Sequence, residues 1–475
     1  MKPNAAQFKR KTAASTTDTT LRGNLQNNLT QLHDRRTLAF QGINAGEMLR
    51  DLGESLKREA LSRLPDLLEE LETNLTRNGI QVHWAETTEE ANQIVLEIAQ
   101  RRGVKLAVKG KSMVSEEMEL NAYLEKHGIE AIEADLGEFI VQLAEEPPSH
   151  IIAPAAHYNR AQVGKLFEEK LNQPYTEVAE EMTAVARTVL REKFKNADMG
   201  ITGVNFAVAE TGTIALVENE GNGRMATTVP PVHVALMGLE KVVPKIEDIP
   251  VLIRLLCRSA TGQSISNYFN WVASPRKAGE KDGPEEVHLV ILDNGRSRAY
   301  SDRQLRDTLD CIRCAACLNA CPVYRRTGGH AYDSVYMGPI GKILTPQLAG
   351  LEDGGHLAGA STLCGACAEV CPVRIPLPSL LLRLRQEGAQ PTAAGRATVK
   401  GAGAKRTMGE AMVWKGWQVI HSRPAAYRAW SKLARMAAGM APKSIGPMKG
   451  WTRHRNLPTP AGESLRDLLR DRDRE

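Results

Sequence analysis

The residues whose types and spacing carry the most chemistry are cysteines. Residues 311–322 read Cys-Ile-Arg-Cys-Ala-Ala-Cys-Leu-Asn-Ala-Cys-Pro, a C-x2-C-x2-C-x3-C-P run. In this spacing three thiolates on one tight loop grip three irons of a cubane, while the fourth, just before a proline, ligates a different cluster. One such run therefore implies a second. It is found as Cys364-Gly-Ala-Cys367-Ala-Glu-Val-Cys371-Pro372, where small residues let the backbone approach the sulfides and Pro372 turns the chain away.

The second run is one ligand short. Aligning the two Cys-x3-Cys-Pro ends places Cys364, Cys367 and Cys371 on the second, third and fourth cysteines of the first run and leaves Ser361 in the first place. By the exchange rule, Cys311, Cys314, Cys317 and Cys371 complete one [4Fe-4S] cluster, and Cys321, Cys364 and Cys367 offer three thiolates to another. The second site then holds either a [3Fe-4S] cluster or a [4Fe-4S] cluster whose fourth iron takes Ser361, water, a partner residue or a substrate atom. Structural zinc also uses C-x2-C pairs, but it requires two separated pairs and gives no reason for the prolines. Seven of the eight cysteines lie in these runs and no secretory signal precedes them, so disulfides are not expected and a reducing cytoplasm is the natural compartment.

The elements that must position these loops fill a chain of 475 residues, long enough for two or more domains. A hydrophobic fraction of 42% supports real cores, and a net charge of +5 is too small for this length to argue for nucleic acid. No uninterrupted apolar run is long enough to cross a bilayer, so any membrane contact is peripheral. Residues 1–64 read as a polar arm followed by a docking helix with Leu49, Leu52 and Leu56 at helical spacing.

Residues 65–298 alternate between helix and strand. Pro65 and Asp66 suit a first helical turn, Leu67, Leu68, Leu71 and Leu75 form its apolar face, and Asn78-Gly79 ends it. Strands are expected at 80–84, 106–108, 129–132, 151–153 and 287–292, and Thr87 with Glu90 has the spacing of a capping box. Strands separated by helices imply an α/β domain with a largely parallel sheet. Within 200–238, two β-rich stretches joined by Thr211-Gly212 predict a hairpin-like pair. Residues 299–388 form the two-cluster domain, with 42 residues between the runs, enough for a two-helix insertion. Residues 389–475 are a linker and a basic helical segment. From 401 onward there are 15 Lys and Arg against 6 Asp and Glu, with Trp414, Trp417, Trp430 and Trp451. A helical hairpin packed on the chain's own domains or on a partner is favoured over an anionic membrane surface, because the apolar positions are scattered.

Other residues invite weaker readings. Gly110-Lys111-Ser112 follows a strand as in a phosphate loop, but the required first glycine is Lys105; Lys109, Lys111 and Ser112 remain candidate anion contacts. Gly221-Asn-Gly223-Arg224 reads as a tight turn. Glu210 is a candidate site carboxylate or a solvated strand end, and His157 and His233 are candidate acid-base groups or plain structural residues. Cys257, outside both runs, reads as a small buried thiol, with completion of the second cluster as its alternative role.

Together, Lys-Gly-Lys-Ser-Met-Val-Ser-Glu-Glu at 109–117, Gly-Ile-Thr-Gly-Val-Asn-Phe-Ala-Val-Ala-Glu-Thr-Gly-Thr at 200–213, Arg-Ser-Ala-Thr-Gly-Gln at 258–263 and the two cysteine runs resemble the lactate-utilisation iron-sulfur proteins, the B component of the three-part bacterial L-lactate oxidation system. The resemblance runs from about residue 50 to the C-terminus. It implies a lactate-utilisation (LUD) domain related in fold to ribose-5-phosphate isomerase and CoA transferases, followed by an α-helical, ferredoxin-like two-cluster domain. It further implies two iron-sulfur clusters and two partners: a cysteine-rich-domain subunit and a small LUD-domain subunit. The implied activity is electron transfer within a complex oxidising L-lactate to pyruvate for growth on lactate. The resemblance also implies that three cysteines at the second cluster are usual, and it supplies no catalytic residue. Electron transfer from another 2-hydroxy acid such as glycolate, or a cluster-dependent metabolite sensor, are the alternative expectations.

Overall fold

The computed structural model describes residues 3–43, 45–389, 399–401, 408–438 and 461–472. These fall into two compact units, Met1–Ala404 and Lys405–Glu475. The first contains ten strands in chain order: β1 (Gln81–Ala85), β2 (Leu106–Lys109), β3 (Glu130–Glu133), β4 (Met199–Gly203), β5 (Phe206–Val208), β6 (Thr213–Glu218), β7 (Val232–Gly238), β8 (Val242–Val243), β9 (Tyr268–Val272) and β10 (Glu286–Leu292).

Six of them make a parallel sheet in the order β1-β10-β7-β4-β2-β3. Its central strands are buried on both faces, which is why β7 and β10 read as continuous apolar runs. Ala235, Met237, Leu289 and Ile291 pack on Leu67, Leu71 and Leu75 of the helix Leu64–Arg77. Val234, Leu236, Val290 and Leu292 pack on Val95 and Leu96 of the helix Thr88–Arg101. Thr87 caps the latter by accepting the Glu90 N–H (3.2 Å), but Glu90 reaches back to the Glu86 N–H (2.7 Å), one residue before the position a capping box requires.

The hairpin expected around Thr211-Gly212 is β5 and β6, paired antiparallel. It belongs to a second sheet, β8-β5-β6-β9, while β4 and β7 on either side belong to the parallel one. Gly212 has φ +61°, and a Cβ there would lie 2.5 Å from the Asn74 backbone, so the turn takes only glycine. Asn74 and Asn78 hold it by donating side-chain amide hydrogens to the carbonyls of Ala209 and Thr211.

The strand expected at 151–153 is absent. The His150 imidazole Nδ1 accepts the N–H groups of Ile152 and Ala153 (3.1 and 3.0 Å), so those donors are satisfied by a side chain and the segment is a loop. The polar arm is also revised: it is helical at Ala5–Thr17 and Thr19–Gln41 before the helix Gly46–Ser62. Leu25 and Leu29 are fully buried, each contributing about 1.5–3 kcal/mol. Leu52 faces solvent, whereas Arg50, Gly53, Lys57, Ala60 and Leu61 form the buried face. At Gly53 a Cβ would stand 2.2 Å from Leu255 Cδ1, so glycine sets the approach of this helix to the helix Ile249–Ala260.

Between the cysteine runs lie the helices Gly338–Ala349 and Leu351–Gly359, and Leu377–Ala389 follows the second run. In the C-terminal unit the described helices are Met408–Ser422, Pro424–Ala438 and Leu465–Arg472. Trp414, Trp417 and Trp430 are each about half-exposed, and Arg435 pairs with Asp467 (3.6 Å). Trp451 and most of the expected linker lie outside the described residues. No helix among the described residues is long and apolar enough to cross a membrane.

Candidate metal centre and adjoining cavity

The first cysteine loop is shaped by two residues in the left-handed region, Arg313 (φ 61°) and Ala315 (φ 60°). They fold it so that Cys311, Cys314 and Cys317 line one cavity together with Cys371, more than fifty residues away in sequence. The short helix Ala316–Ala320 carries Cys317 and ends at Cys321. Cys321 lies on the wall of a second cavity with Ser361, Cys364 and Cys367.

The two runs repeat at an offset of 50 residues in backbone as well as in sequence. Leu363 (φ 55°) and Gly365 (φ +87°) are left-handed, as Arg313 and Ala315 are. The Arg313 N–H donates to Cys311 Sγ (3.4 Å), and the Leu363 N–H donates to Ser361 Oγ (3.2 Å). Ser361 thus stands in the place that Cys311 takes in the first loop. Cys321 Sγ accepts from the Tyr324 N–H (3.5 Å), and Cys371 Sγ from the Ile375 N–H (3.3 Å).

The remaining wall of the cavity holding four cysteines is largely apolar, with Ile312, Ile340 and Val373. Four thiols on one wall, three of them from a single tight loop, are a donor set that fits a polynuclear iron-sulfur cluster. Burial and the neighbouring thiols push Cys314 and Cys371 up to about 12, and they raise Cys317 as well. The three-cysteine cavity takes in Ser361 and the exposed Cys364. Burial and then Cys321 raise Cys367 to about 11, whereas the exposed Cys364 is lowered, first by the Ala366 backbone N–H and then by the Thr362 hydroxyl.

Cationic side chains that spacing alone does not single out surround both cavities. Lys342, fully buried, donates to Cys321 Sγ (3.6 Å) and lies 5.6 Å from the Tyr332 ring. From the N-terminal helices, Arg36 donates to the Val370 carbonyl (2.8 Å), and Arg50 donates to the carbonyls of Glu369 (2.7 Å) and Cys371 (2.9 Å). The docking expected of this region is docking onto the second cysteine run. Arg313 pairs with Glu240 (2.9 Å), which also takes Arg296 (2.9 Å), and Arg296 pairs with Glu117 (2.7 Å). Burial pushes the Glu240 carboxyl up, but the guanidiniums of Arg296 and Arg313 outweigh it and hold it at about 2. This chain of ion pairs ties the first cysteine loop to the end of β7.

Arg313 also lines a second kind of cavity, of about 250 Å³, beyond the C-terminal ends of β2 and β4. Lys111, Gly203, Gly223 and Cys257 lie on its wall. β2 runs on to β3 at one edge of the sheet while β4 begins the other half, so this is the switch point where open α/β sheets form their crevices. Of the three candidate anion contacts, Lys109 is committed to Glu116 (2.7 Å) and Glu133 (2.6 Å), and Ser112 caps the helix Met113–Glu117. Lys111 forms no ion pair among the described residues and donates to the Ile152 carbonyl (2.6 Å). The stretch expected to be a tight turn, Gly221–Arg224, is instead the start of the short helix Asn222–Ala226, with the Gly223 and Arg224 N–H groups donating to Glu218 (2.6 Å each). Cys257 is on neither cysteine cavity, and Glu210 is exposed.

His233 is a buried structural residue bonded to Thr202 Oγ1 (2.8 Å), and burial and then His288 lower it to about 3. His157 joins Glu146 and His330 in one group of side chains, bonded to Glu146 (2.9 Å) and Ser149 (2.7 Å). Burial and His330 lower it to about 4.

The comparisons with known proteins follow this division of the chain. The LUD domain model matches residues 68–292, the 4Fe-4S dicluster domain model residues 307–375, and the model of the lactate utilisation protein B C-terminal region residues 383–474. The chain is 44% identical to lactate utilization protein B of Bacillus pumilus over 100% of its own length and 99% of that protein's. It is 43% identical to the Bacillus thuringiensis protein of the same name, over 99% and 98%. Among solved structures, a DUF162 family protein from Deinococcus radiodurans aligns with 48% of this chain and 98% of its own, at 13% identity and a TM-score of 0.28. With an α/β LUD domain, a dicluster domain and this full-length identity, the chain belongs to the lactate utilization protein B family.

Proposed function

We propose that this chain is the iron-sulfur electron-transfer subunit of a bacterial complex that oxidises L-lactate to pyruvate. The observation that carries the reading is the placement of the two cysteine cavities. The four-cysteine cavity shares Arg313 with the large cavity at the sheet end, and the three-cysteine cavity carries the exposed Cys364. Cys317, on the short helix Ala316–Ala320, and Cys321, which caps its C-terminal end, connect the two. Cys311, Cys314, Cys317 and Cys371 hold one [4Fe-4S] cluster. Cys321, Cys364 and Cys367 hold the second, with Ser361 in the fourth place. Clusters bound there supply one-electron transfer.

The chain's own residues set the conditions for that transfer. Burial excludes water from the first site, N–H groups donate to the ligating sulfurs, and Lys342 places positive charge beside Cys321. In this reading residues 1–64 brace the second run, 65–298 are the LUD domain, 299–388 the dicluster domain and 389–475 a basic segment. The partners are a cysteine-rich-domain subunit and a small LUD-domain subunit, and the compartment is the cytoplasm.

The test is anaerobic EPR of the full chain with its partners, before and after adding L-lactate. Lactate should generate the reduced-cluster signal. Clusters that dithionite reduces but lactate does not, with both partners present, would remove lactate as the electron source.

A further inference from the structure

We infer that Glu146, His157 and His330 form a site for a divalent first-row transition-metal cation such as zinc, joining the LUD domain to the dicluster domain away from both cysteine cavities. One oxygen or nitrogen atom from each of the three lies within 4.8 Å of the others. Two imidazoles and a carboxylate are a donor set that borderline divalent cations take, and three protein ligands leave room for water. None of the three residues lines a cysteine cavity. Glu146 and His157 lie within the stretch matched by the LUD model and His330 within the stretch matched by the dicluster model.

The hydrogen bonds around the group set which ring nitrogens carry lone pairs. The Ser149 hydroxyl donates to the Pro154 carbonyl (2.8 Å), so it accepts from the Nδ1–H of His157 (2.7 Å). That leaves His157 Nε2 with the lone pair, and it faces another acceptor, Glu146 Oε2, at 2.9 Å. Two acceptors this close require a cation between them, either a proton or a metal. Ligand atoms about 2.1 Å from one metal and at right angles to each other stand about 3 Å apart, the spacing of this pair. A proton serves that pair alone, whereas a metal also uses His330. The His330 Nε2–H donates to the Pro147 carbonyl (2.8 Å), which leaves Nδ1 with the lone pair, and the ring lies 4.6 Å from that of His157. Partners that fix a tautomer in this way are what orient metal-binding histidines. The Tyr158 hydroxyl donates to Glu146 Oε2 (3.1 Å) and orients the carboxylate.

The loop that carries Glu146 and His157 is pinned to the dicluster domain by contacts of its own. The Tyr324 hydroxyl donates to the Ser149 carbonyl (2.5 Å), and His150 bonds Asn319 (3.0 Å). A Cβ on Gly329 would lie 1.9 Å from the Ser149 carbonyl oxygen, so glycine lets the two backbones touch beside His330. The three donors are thus brought together by the fold itself, and the exposed Glu146 gives an ion a way in. Since the Tyr324 N–H donates to Cys321 Sγ, the metal braces the segment that follows the first cysteine run.

The test is equilibrium dialysis of the full, cluster-containing chain against zinc under anaerobic conditions, with zinc and iron measured per chain, followed by X-ray absorption at the zinc edge. Zinc should bind with nitrogen and oxygen neighbours at about 2.0–2.1 Å and without sulfur at about 2.3 Å. His330→Ala and Glu146→Gln should each weaken binding about tenfold or more while the iron content stays unchanged. Glu146→Gln alters an exposed side chain and keeps the test open should His330→Ala misfold. Three results overturn the inference: no zinc retained by chain of full iron content, which leaves a proton between His157 and Glu146; a sulfur shell around the zinc, which places it on cysteines; or unchanged affinity in Glu146→Gln.

Discussion

Replacing Lys342 with methionine removes a buried positive charge from beside the three-cysteine cavity while keeping most of the side-chain volume. The ammonium group lies 3.6 Å from Cys321 Sγ, and the residue is fully buried. Unit charges about 4 Å apart interact by about 4 kcal/mol at an effective dielectric constant of about 20. The electron added on reduction is spread over a cluster and not placed on one sulfur, so roughly half of that, about 2 kcal/mol, is the expected loss on adding the electron. At about 59 mV per tenfold change in a one-electron equilibrium, this is a fall of about 85 mV in the potential of that cluster. The other cluster should shift by much less. The assay is an anaerobic dye-mediated redox titration followed by EPR, with iron and sulfide measured per chain. Lys342→Arg keeps the positive charge at a similar distance, so its potential should remain within about 20 mV of the parent. A Lys342→Met protein with full iron content and a potential within about 20 mV of the parent would refute the reasoning.

Three further outcomes are expected. Ser361→Cys supplies the sulfur that the 50-residue repeat lacks, and should give a second site that keeps four irons through mild oxidation, as read by the three-iron EPR signal; persistence of that signal would show that position 361 does not face the cluster. Arg50→Met removes charge-assisted bonds to two carbonyls of the second run and should cost about 3–5 kcal/mol, seen as a lower Tm with iron lost first from one cluster. Glu240→Gln breaks a carboxylate held at about 2 against an ordinary 4.5 and should cost about 3 kcal/mol in denaturant unfolding at pH 7. The folded value is depressed, so this contribution is fully present above about pH 4.5 and is lost as pH falls toward 2. The gap between parent and variant should therefore be constant from about pH 7 to pH 5, and a gap that closes within that range would contradict the assignment.

Short-range chemistry is fixed by the amino-acid order alone. Cysteine spacing determines which sulfurs can share a loop, whereas the left-handed residues at 313 and 315 and at 363 and 365 are seen only in the structure. The β10 run is mostly apolar because a parallel sheet buries both faces, so it too is legible. Residues whose partners lie far away in sequence are not. The helix Gly46–Ser62 shows its leucines to a reader of the sequence, yet it buries Arg50 and Lys57, since Glu369, Cys371 and Glu240 offer them acceptors hundreds of positions later. Residues 151–153 have the apolarity of a strand, and one imidazole takes the N–H groups a strand would use. Only the tertiary structure sets Lys342 against a ligand sulfur and Arg313 between two cavities. Local periodicity reports what a segment buries, whereas a site is made where segments without any shared periodicity converge.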